Sequence, residues 1–382
     1  MAAEAERFTV TYRILAESAS AAMRRAHDVA LEQTVEIPGD IVPEGFIADE
    51  IVGQVGRAVM ARRGVFDVTI SYSPDSAGTE LVQLLNVMFG NSSIQQGIKV
   101  VGVDPGPVIA ERFAGPRFGI AGVRQRAGRP EGGLISPVIK PQGSTSDQLA
   151  EIAWRCVAGG ADIIKDDHGL ADQPMSPFEE RTEKVAAAVA RANAEFGTSA
   201  LHFANITGRP DQLVERAFFA KTAGSGGVLL MPGLLGFEIV HQLACDPAFD
   251  LPIMTHPSFT GPFVLSPDTG FTHAMMYGVL QRLAGSDISV FPNVGGRFGF
   301  SAEECLSIAE ACRDPHGHGR PMLPSPGGGM SVERAADMVR MYGDDVVYLL
   351  GGSLLRAGDK IGEAVTAMRR AVDAARAERE TA

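Results

Sequence analysis

The stretch LISPVIKPQGSTSDQLAEIAWRCVAGGADIIKDDHGL, residues 134–170, decides the fold. An apolar run at 134–139 is followed by Leu149, Ile152, Ala153 and Cys156 at i, i+3, i+4 and i+7, which places them on one face of a helix. Ser146 can cap that helix, and Gly159-Gly160 ends it. A second apolar run, 161–164, leads straight into Lys165-Asp166-Asp167-His168. The unit recurs downstream, with further runs at 200–204, 227–230, 251–254, 288–291, 321–323 and 346–350. Ser176-Pro177-Phe178-Glu179 reads as a capping box with proline at the first helical position. Eight near-equal β-then-α units fit an α/β fold of the closed (β/α)8 TIM-barrel type. The rival is an open doubly wound sheet.

Upstream the texture differs. Residues 8–14, 65–72 and 99–103 read as strands, and 19–32 and 79–88 have helical spacing. This mixture predicts a small α+β, ferredoxin-like domain over residues 1–125. A connector rich in Gly and Arg, 121–133, leads into the barrel domain, 126–382.

Composition excludes several classes. The 382 residues carry 34 Lys and Arg against 46 Asp and Glu, and a net charge of −12 argues against a basic nucleic-acid grip. No apolar run approaches the ~20 residues of a membrane span, and MAAEAERF lacks the apolar segment of a secretory signal. Cys156, Cys245, Cys305 and Cys312 show no paired spacing. They read as reduced thiols of a cytoplasmic protein, not as disulfides or a zinc site.

A barrel's active site lies at the carboxyl ends of its strands. Lys140 follows the first run, Lys165 to His168 the second, Asn205 the third and His256 the fifth. Arg297 lies in a Gly-rich segment after the sixth, Gly327, Gly328 and Gly329 after the seventh, and Gly351 and Gly352 after the eighth. Asp167 and His168 are metal-ligand types. A lysine beside them makes sense if Lys165 reacts with CO2 to form a carbamate, an oxygen anion that holds Mg2+. The alternative is a salt bridge from Lys165 to Asp166 or Asp167. The two glycine clusters expose backbone N–H groups suited to a phosphate. Lys140 is a general-base candidate if a nearby cation lowers its pKa. His256 reads as a proton carrier, a substrate donor or a structural histidine.

At these residues the sequence resembles the RuBisCO superfamily. ISPVIKPQG (135–143) is similar to the family's strand-one motif around its catalytic lysine, here Lys140. GGADIIKDDHGL (159–170) is similar to its strand-two motif, a carbamylated lysine followed by metal-binding acids. LHFANITG (201–208) resembles its third strand, and LPSPGGGM (323–330) and YLLGGS (348–353) resemble its phosphate loops. LLNVMFGN (84–91) resembles an N-terminal segment carrying an active-site asparagine, here Asn86. DEIVG (49–53) resembles one carrying an active-site acid, here Glu50. The resemblance implies Mg2+, CO2 as a carbamate on Lys165, and a homodimer or higher homo-oligomer whose N-terminal domains complete partner sites.

The departures are as informative. Gln142 stands for the carboxylases' second lysine, His168 for a glutamate, Pro257 for an arginine and Gly327 for a serine. NVGGRFGF (293–300) offers Arg297 where they hold CO2 with a lysine. The chain therefore resembles a RuBisCO-like protein that does not fix CO2. The resemblance implies metal-dependent enolate chemistry on a monophosphorylated sugar acid. EQTVEIPGDIVPEGFIADEIVG (32–53) and KDDH (165–168) favour decarboxylation or related C–C cleavage, as of 3-oxo-isoapionate 4-phosphate. The alternative is an enolase or isomerase of methionine salvage. Its substrate is a methylthio-sugar phosphate, 5-methylthioribulose 1-phosphate or 2,3-diketo-5-methylthiopentyl 1-phosphate. A non-catalytic sugar-phosphate-binding relic is a further alternative, disfavoured by the joint presence of Lys140, Lys165 and Asp167.

Overall fold

The computed structural model describes residues 6–381, which divide into two units. The first comprises the chain up to Ala114 together with Thr260–Leu280. Its strands are β1 (Phe8–Leu15), β2 (Gln54–Arg62), β3 (Val65–Tyr72) and β4 (Ile98–Asp104). The helix Ala19–Glu32 follows β1 and the helix Leu81–Phe89 precedes β4. The strands pair antiparallel in the order β4-β1-β3-β2, the ferredoxin-like arrangement. Phe8, Val10, Tyr12 and Ile14 alternate inward along β1, the period that made this strand legible. The outer strand β2 has no such period, because most of its side chains are exposed. A two-residue strand, β10 (Gly270–Phe271), adds to β4 in parallel and comes from the later insert.

The second unit, Gly115–Phe259 with Gln281–Ala382, holds a closed barrel. Its eight parallel strands are β5 (Leu134–Ile139), β6 (Ile163–Asp166), β7 (Leu201–Asn205), β8 (Gly227–Leu230), β9 (Ile253–Thr255), β11 (Ile288–Pro292), β12 (Leu323–Gly327) and β13 (Val347–Leu350). The register pair Tyr348↔Ile135 closes β13 onto β5, which excludes the open sheet. The strands overlap the expected runs, but β6 extends through Lys165 and Asp166, which the sequence placed beyond its end, and β12 begins at Leu323, where its run was expected to end. Pro324 and Pro326 lack an N–H and mask the strand in the sequence. They are tolerated because the ladder to β13 holds a single pair, Gly327↔Leu349.

Two helix caps differ from expectation. Thr145, not Ser146, caps Ser146–Ala158, in a capping box with Gln148. Ser176 is no cap either. Its hydroxyl meets that of Ser146 in the interior at 2.9 Å, and Asp172 Oδ1 accepts the Phe178 N–H of the helix Phe178–Phe196.

The connector is ordered. Its helix Gly119–Arg126 places Val123, with Ala127 just beyond, among the core side chains Leu134, Ile163, Phe203 and Met254. Asp287, just before β11, accepts the N–H groups of Phe118 and Gly119 at 2.8 and 2.7 Å. The helix thereby covers the N-terminal mouth of the barrel and leaves the carboxyl ends for a site. This packing is why the units divide after Ala114 and not at 125/126. Among the described residues no helix is long and apolar enough to cross a membrane.

Candidate active site

Strand alternation separates the residues of the Lys165-Asp166-Asp167 run. Along β6, Ile163 and Lys165 share one face and Ile164 and Asp166 the other. Ile163 belongs to the barrel core, so Lys165 points inward with it. Lys165 is 1% exposed, and its Nζ donates to the Asp166 carbonyl at 2.8 Å. Burial pushes its pKa down to about 8, against the pull of Asp167 and Asp166 and with help from the Lys140 charge.

Asp166 faces the helix layer and is structural. It is fully buried, with Oδ2 3.1 Å from Arg181 Nε and Oδ1 3.1 Å from His202 Nε2. The Asn205 N–H also donates to Oδ2, at 3.1 Å. Burial alone would raise this carboxyl's pKa. The Arg181 guanidinium and the His202 bond instead hold it well below the usual carboxylate range. His202 Nδ1 meets Ser225 Oγ at 3.1 Å. Neither Arg181 nor His202 was anticipated from the sequence. The available signal was a charged residue on the apolar face of a helix, between Phe178 and Val185.

Asp167 stands just past the end of β6. Its Oδ1 lies 3.7 Å from Lys140 Nζ and 3.5 Å from His168 Nδ1. Burial opposes its ionisation, but His168, Lys165 and Lys140 hold its pKa well below the usual range. The lysine paired with Asp167 is thus Lys140, and not the Lys165 of the salt-bridge alternative. Lys140 also lies against the β13 loop: a Cβ on Gly351 would stand 3.6 Å from its Nζ.

The half-exposed His168 ring stacks on His256, with centroids 4.4 Å apart and planes 13° from parallel. The Ser258 N–H donates to His256 Nδ1 at 3.3 Å, and Ser258 Oγ lies 2.9 Å from the same nitrogen. A backbone N–H can only donate, so the neutral ring carries its proton on Nε2. Burial, then the charges of Lys165 and His168, keep the His256 pKa well below its ordinary value. The ring is therefore a neutral donor at physiological pH.

Asn205, expected to bind substrate, is used elsewhere. Its Nδ2 donates to the Asp167 and His168 carbonyls, both at 3.1 Å. Its Oδ1 accepts from Thr207 N and Oγ1 at 3.0 and 2.6 Å. Asn205 shapes the loop that carries Asp167 and His168.

A cavity of about 350 Å³ opens between the loops after β11, β12 and β13, lined by Gly328, Gly329, Gly351, Gly352 and Arg334 among others. Gly327 is not on its wall. It ends β12, and a Cβ there would come within 2.9 Å of Leu349 Cδ2, so this glycine serves packing. Arg297 is exposed and lies over the Phe298 ring at 5.1 Å. Glu50 and Asn86 belong to the first unit. Glu50 lies in the turn Ile47–Ile51, where its carbonyl accepts from Arg7 Nη1 at 2.8 Å. Asn86 lies on Leu81–Phe89, with Nδ2 3.4 Å from Gln83 Oε1. Among the described residues no three His, Cys, Asp or Glu side chains gather as a ready metal site; Asp167 and His168 are a pair.

The family model for the ribulose bisphosphate carboxylase large chain, catalytic domain, matches residues 119–297. Ribulose bisphosphate carboxylase-like protein 1 of Rhodopseudomonas palustris is 39% identical over 94% of this chain and 95% of its own length. A 5-methylthioribulose-1-phosphate isomerase of Rhodospirillum rubrum is 37% identical over 95% of each chain. The crystal structure of a Rubisco-like protein from Rhodopseudomonas palustris matches with a TM-score of 0.85 at 36% identity, covering 96% of this chain and 98% of that one. On this likeness along nearly its whole length, the chain belongs to the RuBisCO-like proteins of the RuBisCO large-chain superfamily.

Proposed function

We propose that the protein is a cytoplasmic, Mg2+-dependent isomerase that moves a proton from the hydroxyl-bearing carbon next to a carbonyl onto the carbonyl carbon, shifting the carbonyl by one position, in a phosphorylated methylthio-sugar of the 5-methylthioribulose 1-phosphate class. The observation that carries this reading is the gathering of Lys140, Asp167 and the His168–His256 stack beside the Gly351 loop. The relative named as an isomerase supports the substrate class. Decarboxylation of 3-oxo-isoapionate 4-phosphate, favoured by sequence, has no such support, and the methionine-salvage alternative takes its place.

With Lys165 unmodified, two ammonium groups flank one carboxylate, a set that repels a cation. A lysine titrating near 8 keeps a free-amine fraction that attacks CO2. The N–C bond forms as the amine nitrogen loses a proton, the second lost on the way from the ammonium, so an anionic oxygen donor would stand where a cation stood. Asp167, His168 and a carbamate on Lys165 would hold Mg2+, with the imidazole the weaker ligand for this oxygen-preferring ion. When bound, the ion supplies Lewis-acid stabilisation of charge on a carbonyl oxygen. Lys140 Nζ, held beside Asp167, is the group placed to take and return the substrate proton, which it would do as the free amine that a cation bound at Asp167 would favour. His256 donates its Nε2–H to a substrate oxygen, and the glycine-lined cavity receives the phosphate.

Turnover of 5-methylthioribulose 1-phosphate in D2O, with Mg2+ and bicarbonate, is expected to yield an isomer labelled next to its carbonyl by NMR, with no CO2 released. No ¹⁴CO2 should be fixed with ribulose 1,5-bisphosphate. Release of CO2 from 3-oxo-isoapionate 4-phosphate would restore the decarboxylase reading.

We also infer a homodimer in which Glu50 and Asn86 complete the partner's site, as the resemblance implies. Mixing inactive Asn86→Ala and Lys165→Ala subunits should recover part of the activity, since one site in the hybrid has all its groups. A fully active monomer in sedimentation experiments would contradict the shared site.

A further inference from the structure

Among the described residues, Arg334 is the one charged side chain on the wall of the glycine-lined cavity. It sits in the turn Val332–Arg334 after β12. Its Nη1 donates to the Gly329 carbonyl at 2.6 Å and its Nη2 to the Val294 carbonyl at 3.1 Å. The guanidinium thus joins the loop after β12 to the loop after β11. Two glycines in the left-handed region, Gly295 (φ +73°) and Gly329 (φ +65°), lie against it. A Cβ would stand 2.9 Å from Nη1 at Gly295 and 2.6 Å from it at Gly329. A side chain at either position would displace the guanidinium.

Among the described residues no carboxylate forms an ion pair with Arg334. Neutral carbonyls take two of its five N–H groups, so its charge and its remaining donors stay available to an anion. The other cavity walls are glycine backbone, Met330, Ser331 and Leu349. Arg297, the loop cation offered by the sequence, lies over Phe298 and does not line this cavity.

We propose that Arg334 is the charged ligand of the substrate's phosphate and selects a phosphomonoester for this cavity, held in place by the two loops it joins. This rests on the reading that the cavity takes the phosphate end of the substrate. A guanidinium matches two phosphate oxygens with a planar fork, while the glycine N–H groups serve the rest.

Inorganic phosphate is the probe, because its binding needs no knowledge of the reaction. Calorimetric titration of the full-length protein should give a phosphate affinity that falls about ten- to hundredfold in Arg334→Met, the loss of charge-assisted bonds, and largely returns in Arg334→Lys. With the phosphorylated substrate, KM should rise in Arg334→Met with kcat nearly unchanged. Equal phosphate affinity in wild type and Arg334→Met overturns the proposal and leaves the isomerase reading standing. Loss of affinity in both variants, with a lowered unfolding temperature, marks a purely structural clamp and also overturns it. Absence of phosphate binding in the wild type overturns it together with the phosphate part of the function.

Discussion

Lys165→Ala should lower kcat/KM by about 10³-fold or more, because it removes the group on which the whole cation site depends. The wild type should gain activity on incubation with bicarbonate and Mg2+, and the variant should gain none. The sign of the pH dependence follows from burial. A lysine pushed down to about 8 is free amine for about a tenth of the molecules at pH 7 and about nine tenths at pH 9. Activation should therefore quicken as pH rises through 8, read as the lag in progress curves started from CO2-free protein. Full activity in Lys165→Ala, or activation that slows with rising pH, would remove the carbamate from the mechanism.

Arg181→Met should destabilise the fold by about 3–5 kcal/mol, the usual effect of leaving one charge of a buried pair without its partner. Arg181 and Asp166 are both fully buried, and the substitution leaves the carboxylate only His202 and the Asn205 N–H. Equilibrium urea unfolding is the measurement. Adding Asp166→Asn should recover more than half of the loss, since the stranded charge is then gone. A loss below about 1 kcal/mol would show that the network does not hold the barrel to its helix layer. The same pair has a pH signature. A carboxyl held well below its unfolded value contributes stability that is present above the unfolded pKa, near 3.9, and is lost as pH falls toward the folded one. The stability gap between wild type and Arg181→Met should accordingly narrow as pH falls below the unfolded value, because protonating the stranded Asp166 removes the same charge that Asp166→Asn removes.

Much of the barrel was legible because its strands are apolar runs punctuated by glycines and helical spacing. Where a strand breaks that pattern it was misread, as at β12, whose alternate prolines look like a loop. It was missed at β2, where an edge strand needs no buried face. Lys140, Lys165, Asp167 and His168 could be picked out by their order alone, since closing a barrel brings consecutive strand ends to one rim.

What each of those side chains does was not legible. Asp166 and Asp167 are adjacent and chemically identical, yet one anchors a helix and the other faces Lys140. The strand register decides between them, and a slip of one residue would exchange their faces. Asn205 stands at a strand end like a ligand, yet its amide is taken up by the loop it supports. Arg297 and Arg334 each follow a barrel strand, and nothing in their spacing ranks one above the other. Sequence by itself determined the eight β-then-α units, the small α+β domain and the identity of the rim residues, because periodicity is a local property of the chain, while closure into a barrel rests on the long-range pairing of Tyr348 with Ile135. Tertiary structure alone decided which acid, which amide and which arginine face the cavity. Those choices depend on partners far apart in sequence, such as Gly295 and Gly329 closing on one guanidinium.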